Sequence, residues 1–221
     1  MVPTEITNEF FKSKESLLSI IESAKLVKSE KLRLFLSGLK NYLVESSELK
    51  DLIINGDLEL SDVYTNYEVT LRKYYYANTN WPAVNFRTKF KNSGISMSIR
   101  FEVSDNDGKC YVGIVTHQEG KRIKDIQVDS PYNKIDYFKG FPLTDKNHSR
   151  GWWLYIEEIN FNNESLNFLY LNEAYADIFN DQTGDENRKK YYHSIAKEMY
   201  IIYNKLSNYD AFFNEEMKNN S

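Results

Sequence analysis

Apolar residues recur along this chain with two different periods, and the change of period divides it. Behind Pro3, Thr4 reads as a helix N-cap, and Ile6, Phe10, Leu17 and Ile21 follow at helical spacing. Ser29 signals a second start, after which Leu32, Leu36, Leu39 and Leu43 make a stripe on one helix face. Ser46, Ser47 and Glu48 predict the cap of a short third helix carrying Leu49, Leu52 and Ile53. It ends near Asn55-Gly56, a pair that takes the left-handed conformation readily. Residues 1–56 are therefore expected as a helical part, continuous in one domain with an α+β part over 57–221.

The period then shortens. The segment from Asp57 to Lys73 shows no clear repeat, and Trp81-Pro82 breaks the chain because proline disfavours helix before it and lacks a donor. Ile95, Met97, Ile99, Phe101 and Val103 alternate with Ser96, Ser98, Arg100 and Glu102, which predicts a strand with one wet face. Turn residues over 104–109 predict a hairpin returning as Cys110 to Thr116. Arg122 to Val128 is expected as a third strand and Trp152 to Ile156 as a buried fourth. Ile99, Phe101, Ile114 and Leu154 are expected in one apolar layer.

Helical spacing resumes over Leu166 to Phe179. Thr183 to Glu186 opens a longer helix in which Tyr192, Ile195, Met199, Ile202 and Leu206 step by three and four. Helices, then an antiparallel sheet of about four strands, then helices is an α+β order.

Composition narrows the class of protein. The 221 residues are 41% hydrophobic, enough for a sizeable core, and a net charge of -4 argues against coating duplex DNA through bulk charge. Cys110 is the only cysteine, which excludes an internal disulfide framework and suits a reducing cytoplasm. The first residues lack a signal-peptide pattern, and no apolar run approaches the roughly 18 residues of a membrane span. A cytoplasmic protein with no membrane partner is expected.

Familiar catalytic and metal motifs are missing. His117, His148 and His193 are scattered, and no Gly-rich phosphate loop is present. Aligning Gly108 with the glycine of a calcium loop puts Val103 and Ile114 where its first and last acids belong, so residues 105–108 read as a hairpin corner. Cys110, inside a strand and without an adjacent histidine, reads as a small core residue. No cofactor is expected.

One order of segments resembles a known family. Ser96 to Val103, Lys109 to Val115, Arg150 to Tyr155, then Glu164 to Leu166 leading into Tyr191 to Ala196, resembles the portion after the catalytic core in certain bacterial proteins of the PD-(D/E)XK nuclease superfamily. The resemblance spans roughly residues 30–206 as a pattern of strands and aromatics. Activity in that family needs an acid on one strand and acid-x-Lys on the next to hold a divalent ion. Here the acid-x-Lys triplets ending at Lys109 and Lys121 fall in predicted turns, the one ending at Lys50 in a helix, and the one ending at Lys218 near the terminus. The resemblance thus implies an accessory part without the active site.

Charge is distributed unevenly, and this gives the strongest functional expectation. From Val69 to Phe101 there is no acid, while Arg72, Lys73, Arg87, Lys89, Lys91 and Arg100 alternate with rings that include Tyr75 and Trp81. Bases that follow phosphates and rings that stack on bases together suit single-stranded nucleic acid. A half-buried sheet has the same composition, and a protein-binding face uses the same Tyr, Trp and Arg. The expectation is a non-catalytic nucleic-acid-binding accessory module of bacterial or phage type. The alternatives are an interaction or inhibitor protein acting on a partner such as a defence-system enzyme, and an unusual metal-dependent nuclease using Asp105, Asp107 and Lys109.

Overall fold

The computed structural model describes residues 13–61, 82–92, 95–104, 107–118, 153–161, 164–170 and 172–219. The expected N-cap at Thr4, the strand over 122–128 and the turn acid Asp105 lie outside them. In the first described helix, α1 (Lys14–Glu45), Ser13 is the N-cap, its hydroxyl accepting from Ser16 N–H at 3.1 Å. The expected second start at Ser29 is not a boundary. Its hydroxyl donates to the Lys25 carbonyl at 2.9 Å, a bond made within a helix, so the side chain does not cap a new one. With no proline or glycine between Ser13 and Gly38, the helix runs through.

Helix α1 stops at Ser46, and α2 (Leu49–Ile54) follows at once, with Ser47 Oγ accepting from Leu49 N–H at 3.1 Å. Gly56 then turns the chain at φ +75°, as the Asn-Gly pair predicts.

Five strands form one antiparallel sheet in the order β1 (Leu58–Leu60), β2 (Ala83–Asn92), β3 (Ile95–Val103), β4 (Cys110–Gln118) and β5 (Trp153–Glu158). Strands β1 and β2 were not foreseen: three residues show no period, and β2 carries both polar and apolar residues at buried positions. The β3 to β4 hairpin is the one the alternation predicts, in register from Ile95 opposite Gln118 to Val103 opposite Cys110. Its turn has Gly108 at φ +72°, where a Cβ would come within 2.6 Å of Asn167 Oδ1. Ile114 lies opposite Tyr155, so Tyr155 extends the apolar layer of Ile99, Phe101 and Ile114 into β5; the Leu154 side chain, expected in that layer, is outside the described ones.

A small hairpin, β6 (Asn160–Phe161) with β7 (Glu164–Ser165), precedes a turn at 168–170. The helix expected over Leu166 to Phe179 is confined to α3 (Glu173–Ile178), because Asn172 Oδ1 caps it only there, accepting from Tyr175 N–H at 3.2 Å. The long tail helix α4 (Gly184–Asn219) packs Tyr192, Ile195, Met199, Ile202 and Leu206 inward, the stripe predicted from spacing.

The core lies between one sheet face and the helices. Phe35 of α1 sits at its centre, with ring centroids 6.2 Å from Phe101, 5.2 Å from Phe168 and 5.2 Å from Tyr192. Gly38 lets Tyr192 approach, since a Cβ there would run into the tyrosine hydroxyl. Burial raises the Tyr192 hydroxyl to about 12, so the ring packs as a neutral group.

The second sheet face departs from expectation. Ser98, Arg100 and Glu102 were expected in water, yet Ser98 is fully buried and Arg100 and Glu102 are only 2% and 5% exposed. Asn85, Val115 and Trp153 are buried on the same face, matched by register to Arg100, Ser98 and Val115. Alternation reports that a strand has two different faces. It does not report that the polar one is wet.

Candidate functional site

Four of the predicted binding residues, Arg72, Lys73, Tyr75 and Trp81, lie outside the described residues. The others are on β2 and β3. Arg87 and Lys89 are exposed on β2, Lys91 belongs to its backbone, and Arg100 is on β3. Arg100 is not available at the surface as the sequence suggested. Its Nε donates to Glu102 Oε2 at 2.7 Å, and both side chains are buried. A guanidinium taken out of water needs such a carboxylate, because unpaired burial of a charge is costly.

Acids from outside the acid-free stretch stand beside two more of its bases. Lys89 Nζ is 2.9 Å from Asp57 Oδ1, and its backbone N–H donates to the Asp57 carbonyl at 3.0 Å. Glu59 on β1 lies directly opposite Arg87. Of six bases with no intervening acid in sequence, three therefore stand beside acids: Arg87 and Lys89 once β1 lies against β2, and Arg100 beside Glu102 two residues on in its own strand. A phosphate approaching Lys89 must displace or share Asp57, which lowers the gain in counterion release.

The acid-x-Lys turn is satisfied internally. Burial raises the Asp107 carboxyl, but hydrogen bonds from Tyr111, Ser104 and the Lys109 N–H, with the Lys109 charge, outweigh it and hold the group below the usual range. The Tyr111 hydroxyl donates at 2.8 Å and Lys109 N–H at 3.1 Å. Lys109 Nζ turns away to Glu158 Oε2 at 2.8 Å. Among the described residues no group of three or more His, Cys, Asp or Glu side chains is arranged to hold a metal ion. Cys110 is fully buried, and burial, with Asp107 and Glu158 nearby, pushes its thiol far up, so it is no nucleophile at neutral pH.

A second carboxylate cluster lies where α4 meets β5. The Tyr155 hydroxyl donates to Glu157, and Lys205 Nζ stands 6.0 Å above the Tyr155 ring. Glu198 of α4 is raised by burial and by Glu157, with Lys205 and Lys197 opposing.

The feature most unlike an ordinary surface is the first half of α1. Lys14, Leu18, Ile21, Lys25, Lys28, Leu32, Phe35 and Leu39 step by four and three, one continuous coiled-coil seam. From Leu32 onward it is in the core. Between Ser13 and Lys31 no residue is buried. Lys28 marks the boundary, its Nζ donating to the Leu169 carbonyl at 3.0 Å. Upstream, Leu18 is 50% and Ile21 40% exposed, with Leu17, Ile20, Leu26 and Val27 also exposed. The arm from Lys14 to Val27 is about 20 Å long at 1.5 Å per residue. The boundary expected at Ser29 hides this arm; the signal for it is a heptad uninterrupted through that serine.

No protein-family model, no curated protein and no solved structure matches this chain. No helix among the described residues is long and apolar enough to cross a membrane.

Proposed function

We propose that this chain is a non-catalytic interaction protein whose α1 arm docks against an acidic amphipathic helix of a different protein. The observation that carries this reading is the exposed seam of Leu18 and Ile21 in phase with the core. A helix arm of about 14 residues is marginal in water when nothing covers its apolar side, and packing of an amphipathic face is what ordinarily holds such a helix.

The charges choose the occupant. Lys14 and Lys25 lie on the seam itself, with Lys25 3.6 Å from Glu22 on its flank. A second copy in parallel would set Lys14 against Lys14 and Lys25 against Lys25. An antiparallel copy centred on Leu18 and Ile21 would set Lys14 against Lys25. Like charges at seam positions oppose self-pairing in both directions, whereas glutamates on another helix meet them favourably.

The test uses two synthetic helical peptides with leucines at their seam positions, one with glutamates and one with lysines facing Lys14 and Lys25. Binding is read by fluorescence anisotropy and mass by sedimentation. The glutamate peptide is expected to bind at least tenfold more tightly, and Ile21→Glu to abolish it. Equal binding of both, binding of neither, or a dimer that Ile21→Glu dissociates would overturn the reading. The nucleic-acid alternative is checked alongside it with a labelled single strand at low salt. Binding there that falls steeply with salt and is lost in Arg87→Glu, with no peptide binding, favours that alternative.

A further inference from the structure

On the second sheet face, the Asn85 side-chain oxygen and the Ser98 hydroxyl are fully enclosed and make no hydrogen bond. They are close by register. Asn85 lies opposite Arg100, and Ser98 precedes Arg100 by two residues, so both point to one face as diagonal neighbours across β2 and β3. Native interiors satisfy nearly all buried polar groups, and two orphans side by side call for a common partner. The described helices and the apolar layer do not supply it, because they lie on the other face of the sheet.

We infer that a buried water bridges Asn85 and Ser98, accepting from the serine hydroxyl and donating to the asparagine oxygen. Diagonal neighbours on adjacent strands stand about 7–8 Å apart, a separation that one water can span between two side chains reaching toward each other. Water fits the site better than an ion. The Arg100 and Glu102 charges beside it already offset each other at 2.7 Å, and the two orphans are a neutral acceptor and a neutral hydroxyl. The bridge makes this part of the sheet a polar layer around the buried ion pair, where a dry gap would leave both groups desolvated without compensation.

The sign of a stability change separates the two cases. If Ser98 is an orphan, Ser98→Ala removes an unmet hydroxyl and Tm stays level or rises. If Ser98 anchors a water, the same change loosens it and strands Asn85, and Tm falls by about 2–4 °C or more. Asn85→Ala is expected to lower Tm too, and the double variant to fall by clearly less than the two single effects together, since both act through one molecule. A crystal structure of the full chain that resolves ordered solvent should show density within hydrogen-bond distance of both side chains. A Tm unchanged or raised by Ser98→Ala, or direct contact of Asn85 with Ser98 without solvent between them, would overturn the inference.

Discussion

From Leu32 to Leu43 the inward residues of α1 are wholly buried, Phe35 against Phe101, Phe168 and Tyr192, while from Lys14 to Val27 the same helix, in the same phase, has no buried residue. Neither helix propensity nor hydrophobicity separates the halves. The difference is what the rest of the chain brings alongside: sheet, turn 168–170 and α4 meet the second half, and Lys28 is tied to the turn by its bond to the Leu169 carbonyl. Along the arm the seam residues Leu18 and Ile21 stay half exposed.

The sharpest way to break that contrast is to truncate each half. Phe35→Ala should cost about 3–5 kcal/mol by urea unfolding, because three rings lose their central partner and a cavity remains. Leu18→Ala should stay within about 0.5 kcal/mol of the parent. If both cost the same, the arm is covered in solution.

Adding volume on the covered side comes next. Gly38→Ala should cost about 1–3 kcal/mol, since the methyl forces Tyr192 out of place. A neutral result would mean that Tyr192 swings aside freely.

Charge sharpens the comparison with a smaller effect. The Glu198 carboxyl has a folded pKa raised by burial and by Glu157. The folded state therefore holds that proton more tightly than the unfolded chain. Stability from this group is full below its unfolded value and is lost as pH rises through the raised one. Glu198→Gln should raise Tm at pH 7 and flatten the pH dependence just above the ordinary carboxylate range, whereas Glu22→Gln on the arm should leave Tm unchanged. A lower Tm for Glu198→Gln at pH 7 would show that its charge is instead stabilised by Lys205.

The smallest expected effect is the most telling for function. Leu18→Glu and Ile21→Glu should unfold within about 0.5 kcal/mol of the parent, as exposed substitutions do, while removing peptide binding. Loss of stability along with binding would reassign the arm to the core.

By itself the sequence determined the elements whose period is long and regular. The β3 to β4 hairpin, the Asn-Gly stop after α2 and the inward stripe of α4 all follow from local spacing and turn chemistry, which need no knowledge of neighbours. The sequence also held the heptad of α1, hidden by a serine that reads equally as a cap or as an i−4 hydrogen-bonder. Tertiary structure alone decided which faces are covered. It brought Asp57 and Glu59 beside Lys89 and Arg87, sank Arg100 onto Glu102, and closed the polar face around Asn85 and Ser98. The first and last of these depend on strand order and register, which place residues far apart in sequence within a few ångströms, and the burial of the Arg100–Glu102 pair depends on what covers its face; charge along a chain carries no information about charge across a sheet.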